Sequence, residues 1–120
     1  MTQSLEDYVE TVYLLVAEGR PAKVSDIASA MSVTKPSVVK AIRELIRLGL
    51  VDHRPYADIE LTAKGRRVAG LVRRRHRLLR DFLTKLGVSE RNADRDACLM
   101  EHILSAETLE RIRIYTEKKT

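Results

Sequence analysis

Three groups of side chains in this sequence have the types and spacing to hold a metal ion. Asp7 and Glu10 stand three residues apart near the start, and Cys98, Glu101 and His102 follow an i, i+3, i+4 pattern near the end. Between them lies His76, four residues after Val72 and three before Leu79, on the apolar stripe of a helical pattern. On helices these spacings set each group on one face. Each group also has a plainer reading. Acids in a first helical turn are favoured by the helix dipole, a histidine on an apolar stripe is commonly a core residue, and a buried cysteine behaves as a small hydrophobe. Together, on three helices of a 120-residue chain, carboxylates, imidazoles and a thiol suit a divalent transition metal such as Mn²⁺ or Fe²⁺. The carboxylates draw toward the harder ion and Cys98 toward the softer.

A second constellation suits nucleic acid. Residues 20–80 carry fifteen Lys and Arg against five acids, whereas residues 1–19 carry four acids and no base, and residues 81–120 are nearly balanced. A basic middle is the electrostatic footprint of a nucleic-acid binder. Within it, Thr34, Lys35, Pro36 and Ser37 open a helical pattern, with Lys40 one turn on. Hydroxyls and ammonium groups there can hydrogen-bond to base edges, and the Thr34 methyl can pack on a thymine methyl. Lys23, Arg43, Arg47 and Arg54 are then phosphate anchors, setting register without reading sequence. The eight basic residues between Leu61 and Arg80 are expected to form mostly a solvated helical face, with Lys64, Arg66 and Arg67 near enough its start to reach flanking phosphates.

These residues need elements to position them. Leu5, Tyr8, Val9, Val12, Tyr13 and Val16 recur at helical spacing, so residues 4–18 read as an amphipathic helix capped by Ser4 and ended at Gly19. A short helix is expected at 24–31, and after "SVTK" a longer one from Thr34 to Leu48, with Val38, Ile42, Leu45 and Ile46 inward and Gly49 as its stop. Extended runs at 50–54 and 58–61 flank a turn on Pro55 and Asp58, which makes a small hairpin. Thr62 then caps a helix to about Leu86 with Val68, Leu71, Val72, Leu79, Phe82 and Leu83 inward, and helices follow at 90–104 and 106–117.

Helix, short helix, turn, helix, hairpin is the order of a winged helix-turn-helix, whose second helix lies in the major groove. The expected fold is mainly α. A winged helix-turn-helix DNA-binding domain occupies residues 1–70, and a helical metal-binding and dimerisation domain occupies 71–120. One Phe and no Trp leave an aliphatic core, and a chain this short often gains stability by dimerising. No apolar run approaches the roughly 18–20 residues that span a bilayer, and no signal peptide opens the chain. Cys98 is the only cysteine, so no internal disulfide is possible, which fits a cytoplasmic location. No H-E-x-x-H, Gly-rich phosphate loop or nucleophile motif is present, so no enzymatic activity and no small organic substrate are expected.

The segments "LEDYVETVYLL", "VSDIASAMSVTKPSVVKAIRELIRLGLV", "LTAKGRRVA", "RRRHRLL" and "CLMEHILS" together resemble the diphtheria toxin repressor family, and most closely its manganese transport regulator branch. The resemblance runs in order along nearly the whole chain. It implies a homodimeric, metal-activated repressor of metal-uptake genes that binds palindromic operators, with the dimer formed through the C-terminal helices. Asp7, Glu10, His76, Glu101 and His102 match ligands of the manganese branch, and Cys98 falls where that branch has a bridging Glu. The iron-responsive branch has Cys there, but Met in place of Asp7. The site is thus a hybrid holding one or two ions per subunit, with two less favoured because a single thiolate bridges less readily than a carboxylate. Arg80 and Asp94 stand where the iron branch places Glu and His of an ancillary site, so that site is not carried over. As the sequence ends at Thr120, no C-terminal barrel and little of a seventh helix are expected, and the dimer interface is expected to be compact. The alternative is a winged-helix regulator that responds to an organic ligand or to oxidation of Cys98.

Overall fold

A computed structural model describes residues 3–55 and 57–118. The elements run α1 (Gln3–Ala17), α2 (Val24–Met31), α3 (Lys35–Arg47), β1 (Val51–Asp52), β2 (Glu60–Leu61), α4 (Ala63–Lys85), α5 (Glu90–Met100) and α6 (Ala106–Lys118). The chain divides into two units, Met1–Gly70 and Leu71–Thr120, with the boundary inside α4.

In the first unit the apolar stripes of three helices and the hairpin close on one core. Tyr8, Val9, Val12 and Leu15 come from α1, Ile27 and Ala28 from α2, and Val38, Ala41, Ile42 and Leu45 from α3, joined by Leu50, Val51, Ile59 and Ala69. Each helix end in this unit has a local cause. Gly19 adopts φ +73 and Gly49 φ +76, a left-handed backbone that glycine takes most readily at a helix end. Between α2 and α3, Ser32 takes the left-handed conformation at φ 56, and the Val33 N–H closes back on the Ala28 carbonyl at 3.0 Å.

Some expectations need correction. Gln3 is already helical, so Ser4 lies inside the first turn of α1 rather than capping it. Ile46 is 42% exposed and Leu71 54% exposed, and the smaller Ala41 and Ala69 occupy the core instead. Ile46 and Ala41 lie on opposite edges of the α3 stripe, and Leu71 and Ala69 on opposite edges of the α4 stripe, so burial of one edge exposes the other. The hairpin strands are shorter than expected, pairing only Val51 with Leu61 and Asp52 with Glu60, antiparallel. The cause is a diverted donor: the Ile59 N–H goes to the Ala22 carbonyl at 2.8 Å, pinning the hairpin's return to the loop before α2.

The second unit holds the remainder of α4 with α5 and α6. Val72, Leu79, Ala93 and Ala97 are its buried apolar side chains among the described residues. Phe82 meets Tyr115 edge-to-face, with ring centroids 6.2 Å apart, and the Lys85 ammonium donates to the Thr116 carbonyl at 3.1 Å. Ser89 caps α5 through the Asn92 N–H at 3.3 Å, and Ser105 caps α6 through the Thr108 N–H at 3.1 Å. The fifth helix is shorter than expected. It ends at Met100, where the Ile103 N–H bonds to the Met100 carbonyl and tightens the chain into a turn. Glu101 is therefore the C-cap and His102 sits in the turn, not on a helix face.

Candidate metal centre and nucleic-acid interface

The reading surface is built from the start of α3. Thr34 is its N-cap, accepting the Ser37 N–H at 3.3 Å, and the two hydroxyls lie 2.9 Å apart. Pro36 sits in the first turn, where no intrahelical partner is needed for the missing N–H. Lys35, Pro36, Ser37 and Lys40 are all exposed, as are Lys23, Arg43, Arg47 and Arg54. Lys23 stands just before α2, its backbone N–H bonded to the Asp26 carboxylate at 3.3 Å, which leaves the ammonium outside the cap. Arg54 lies in the loop joining β1 and β2.

Three cations near this surface have engagements that their spacing did not reveal. Arg47 forks onto Glu44 one turn back, with its Nε 3.0 Å from Oε2 and an Nη2 contact to Oε1. These hydrogen bonds hold the Glu44 carboxyl below the usual carboxylate range and raise the Arg47 guanidinium. Lys64 donates to the Leu48 carbonyl at 3.1 Å, closing the end of α3. Arg66 donates to the Leu61 carbonyl at 3.0 Å, bracing β2.

Asp7 and Glu10 lie on α1, both half-buried. The second unit brings four of the remaining sequence-derived candidates together. His76 presents Nδ1 to Glu101 Oε2 at 3.1 Å, and Cys98 Sγ lies 3.6 Å from the same nitrogen. The other Glu101 oxygen, Oε1, lies 3.2 Å from His102 Nε2. One carboxylate thus faces two imidazoles, and its side chain is 1% exposed, as is that of His102. Donor atoms sharing one ion stand about 3 Å apart when metal–nitrogen bonds are near 2.1 Å, so this spacing fits a divalent cation. A carboxylate, imidazoles and a thiol are also the mixed donor set such an ion takes. The residues present therefore fit a metal.

Sequence reasoning missed Asp94 as part of this cluster. Its Oδ1 lies 2.7 Å from His76 Nε2, on the side of the ring opposite Glu101. The available signal was its position four residues before Cys98 in α5, which places both on one helix face.

Comparison with known proteins gives two family models in succession. The iron dependent repressor N-terminal DNA binding domain matches residues 1–59. The iron dependent repressor metal binding and dimerisation domain matches residues 62–119. An HTH-type transcriptional regulator of Methanocaldococcus jannaschii is 40% identical over 120 residues, covering 98% of this chain and 96% of that protein. The transcriptional regulator MntR of Escherichia coli O157:H7 is 40% identical over 114 residues, covering 95% of this chain and 74% of that one. Among solved structures, the manganese regulator SloR gives a TM-score of 0.83 at 30% identity, covering 98% of this chain and 55% of that one. A manganese-dependent transcriptional repressor in complex with manganese gives 0.82 at 31% identity, covering 94% of this chain and 52% of that one. The chain spans about half the length of these two solved proteins.

Proposed function

The chain belongs to the iron-dependent, or diphtheria toxin, repressor family on its manganese regulator branch, and we propose that it is a cytoplasmic repressor that grips operator DNA when loaded with Mn²⁺ or Fe²⁺. Members of this family are transcriptional regulators, not enzymes. The observation that carries the reading is Glu101, a buried carboxylate with an imidazole nitrogen against each oxygen. Buried charge is costly unless compensated, and a divalent cation would compensate it best. His76, Cys98, Glu101 and His102 would hold the ion from the second unit. Family resemblance adds Asp7 and Glu10 of α1 as hard oxygen donors. Bound there, the ion would supply a divalent positive charge to these carboxylates.

The rest of the machinery belongs to the chain's own residues. Residues 1–70 form the DNA-binding domain and residues 71–120 the metal-binding and dimerisation domain. Thr34, Lys35, Pro36, Ser37 and Lys40 face base edges. Lys23, Arg43 and Arg54 anchor phosphates, joined by Arg47 when it leaves Glu44. Leu99 and Ile103, 58% and 71% exposed, together with Leu86 and Tyr115, put apolar side chains on the surface of the second unit. That suits a homodimer through the C-terminal helices, and two reading heads then meet the two halves of a palindromic operator. No described helix is long and apolar enough to cross a membrane. Metal-uptake genes are the natural targets, because repression then falls when the ion is scarce.

Metal and DNA would be linked ligands: if the loaded form binds operator better, operator tightens metal binding by the same factor. Operator affinity measured with Mn²⁺, with Fe²⁺ and with chelator tests this. Tight binding only with an ion is expected. Equal affinity in all three would overturn the metal switch and return an organic ligand or Cys98 oxidation as the trigger.

A further inference from the structure

We infer that Asp94 is a positioning residue that fixes which nitrogen of His76 faces the metal, an assignment that rests on the metal-site reading above. Metal-binding histidines commonly donate their second ring N–H to a carboxylate, which sets the tautomer, aims the ring and makes the binding nitrogen a better donor. Here the two nitrogens of His76 have different surroundings. Nε2 lies 2.7 Å from Asp94 Oδ1, whereas Nδ1 lies 3.1 Å from Glu101 Oε2 and 3.6 Å from Cys98 Sγ. Nδ1 is thus the nitrogen that shares space with other donor atoms.

A proton kept on Nε2 by Asp94 leaves the Nδ1 lone pair directed toward Glu101 and Cys98. Without that acceptor, the ring can move its proton to Nδ1 or turn over, and either change removes Nδ1 from the donor set. Asp94 itself is more than half exposed, so its carboxylate is available as an acceptor at little cost of desolvation. It lines a hollow together with Arg80, Arg91, Asp81 and Glu90. The 2.7 Å contact between Asp94 Oδ1 and Nε2 is of hydrogen-bond length, and orientation of the ring is the role its geometry supports.

Full-length protein with Asp94→Ala and with Asp94→Asn tests this. Affinity would be measured by competitive Mn²⁺ titration, and the His76 tautomer by nitrogen NMR with Zn²⁺ as the diamagnetic probe. Asp94→Ala should weaken Mn²⁺ binding about tenfold or more at unchanged stoichiometry. Asp94→Asn, whose side-chain carbonyl still accepts the Nε2 proton, should recover part of the loss. The unaltered protein should show a protonated Nε2 and a zinc-bound Nδ1, and Asp94→Ala should lose that single signature. Three results would overturn the assignment: Mn²⁺ binding by Asp94→Ala equal to the unaltered chain, zinc bound at Nε2, or the loss of one whole metal equivalent, which would make Asp94 a ligand. If the unaltered chain takes up no Mn²⁺, the metal-site reading itself falls and the Asp94 role with it.

Discussion

Gly65 lies so close to Leu50 that a β-carbon at Gly65 would stand 2.1 Å from the Leu50 carbonyl oxygen. The same carbonyl accepts the Thr62 N–H at 3.0 Å, and the Thr62 hydroxyl donates to the Gly49 carbonyl at 2.6 Å while accepting the Gly65 N–H at 3.0 Å. The start of α4 is thereby locked to the end of the recognition helix and the first strand of the wing. The wing's second strand leads directly into this joint.

Because the obstacle at Gly65 is backbone, it cannot swing aside as a side chain could. Gly65→Ala should destabilise the N-terminal unit by about 1–3 kcal/mol, the usual cost of overpacking, despite alanine's better helix propensity. Thermal melting of the two proteins measures it, and an unchanged or raised Tm would show that the joint is loose.

Thr34 combines a structural and a reading role that two substitutions separate. Thr34→Ala removes the hydroxyl that accepts the Ser37 N–H and should cost about 1 kcal/mol of stability. Thr34→Ser keeps the cap and loses only the methyl, so it should melt near the unaltered protein while relaxing any preference for thymine at one operator position. Melting curves together with binding to single-base operator variants check both halves.

The Glu44–Arg47 fork should hold Arg47 off the DNA backbone. Glu44→Ala removes the competing carboxylate, and the released guanidinium should tighten non-specific DNA binding and steepen the salt slope by about one unit. The pH dependence follows from a carboxyl held below the usual carboxylate range by the Arg47 hydrogen bonds. A depressed carboxyl keeps its pairing above the unfolded value and loses it as pH falls through the lowered folded value. Glu44→Ala and the unaltered chain should therefore differ at neutral pH and converge only under strong acid. Arg47 is exposed and Glu44 partly so, and the pair should therefore add little to global stability.

Glu101→Gln keeps the shape of the side chain while removing the charge set between His76 Nδ1 and His102 Nε2. Mn²⁺ affinity should fall at least tenfold and metal-dependent operator binding should fall with it. Lys40→Ala, by contrast, should weaken operator binding and leave metal affinity untouched. Isothermal titration with Mn²⁺ and operator mobility shifts, run on both variants, distinguish a switch residue from a reader. Loss of metal affinity in Lys40→Ala would contradict this division of labour.

Much of this protein is local in origin and so was legible in its sequence. Glycines at 19, 49 and 87 end helices because each must adopt positive φ, a requirement that acts within one turn of chain. Apolar periodicity placed α2 at 24–31 and the recognition helix behind its Thr34 cap for the same reason. The structure sets Cys98 Sγ and Glu101 Oε2 near His76 Nδ1, and His102 Nε2 near Glu101 Oε1.

Tertiary structure decided what depends on neighbours distant in sequence. Periodicity could not tell which edge of each stripe would face the core: Ile46 and Ala41 lie on opposite edges in α3, as do Leu71 and Ala69 in α4, and only the packed neighbours decide. Nor could it show that α5 ends at Met100, leaving Glu101 at a C-cap and His102 in a turn, because the tightening that does this involves backbone bonds rather than residue type. The Asp94–His76 contact joins residues 18 apart on two helices, and only the packing of α4 against α5 could bring carboxylate and ring into hydrogen-bond range.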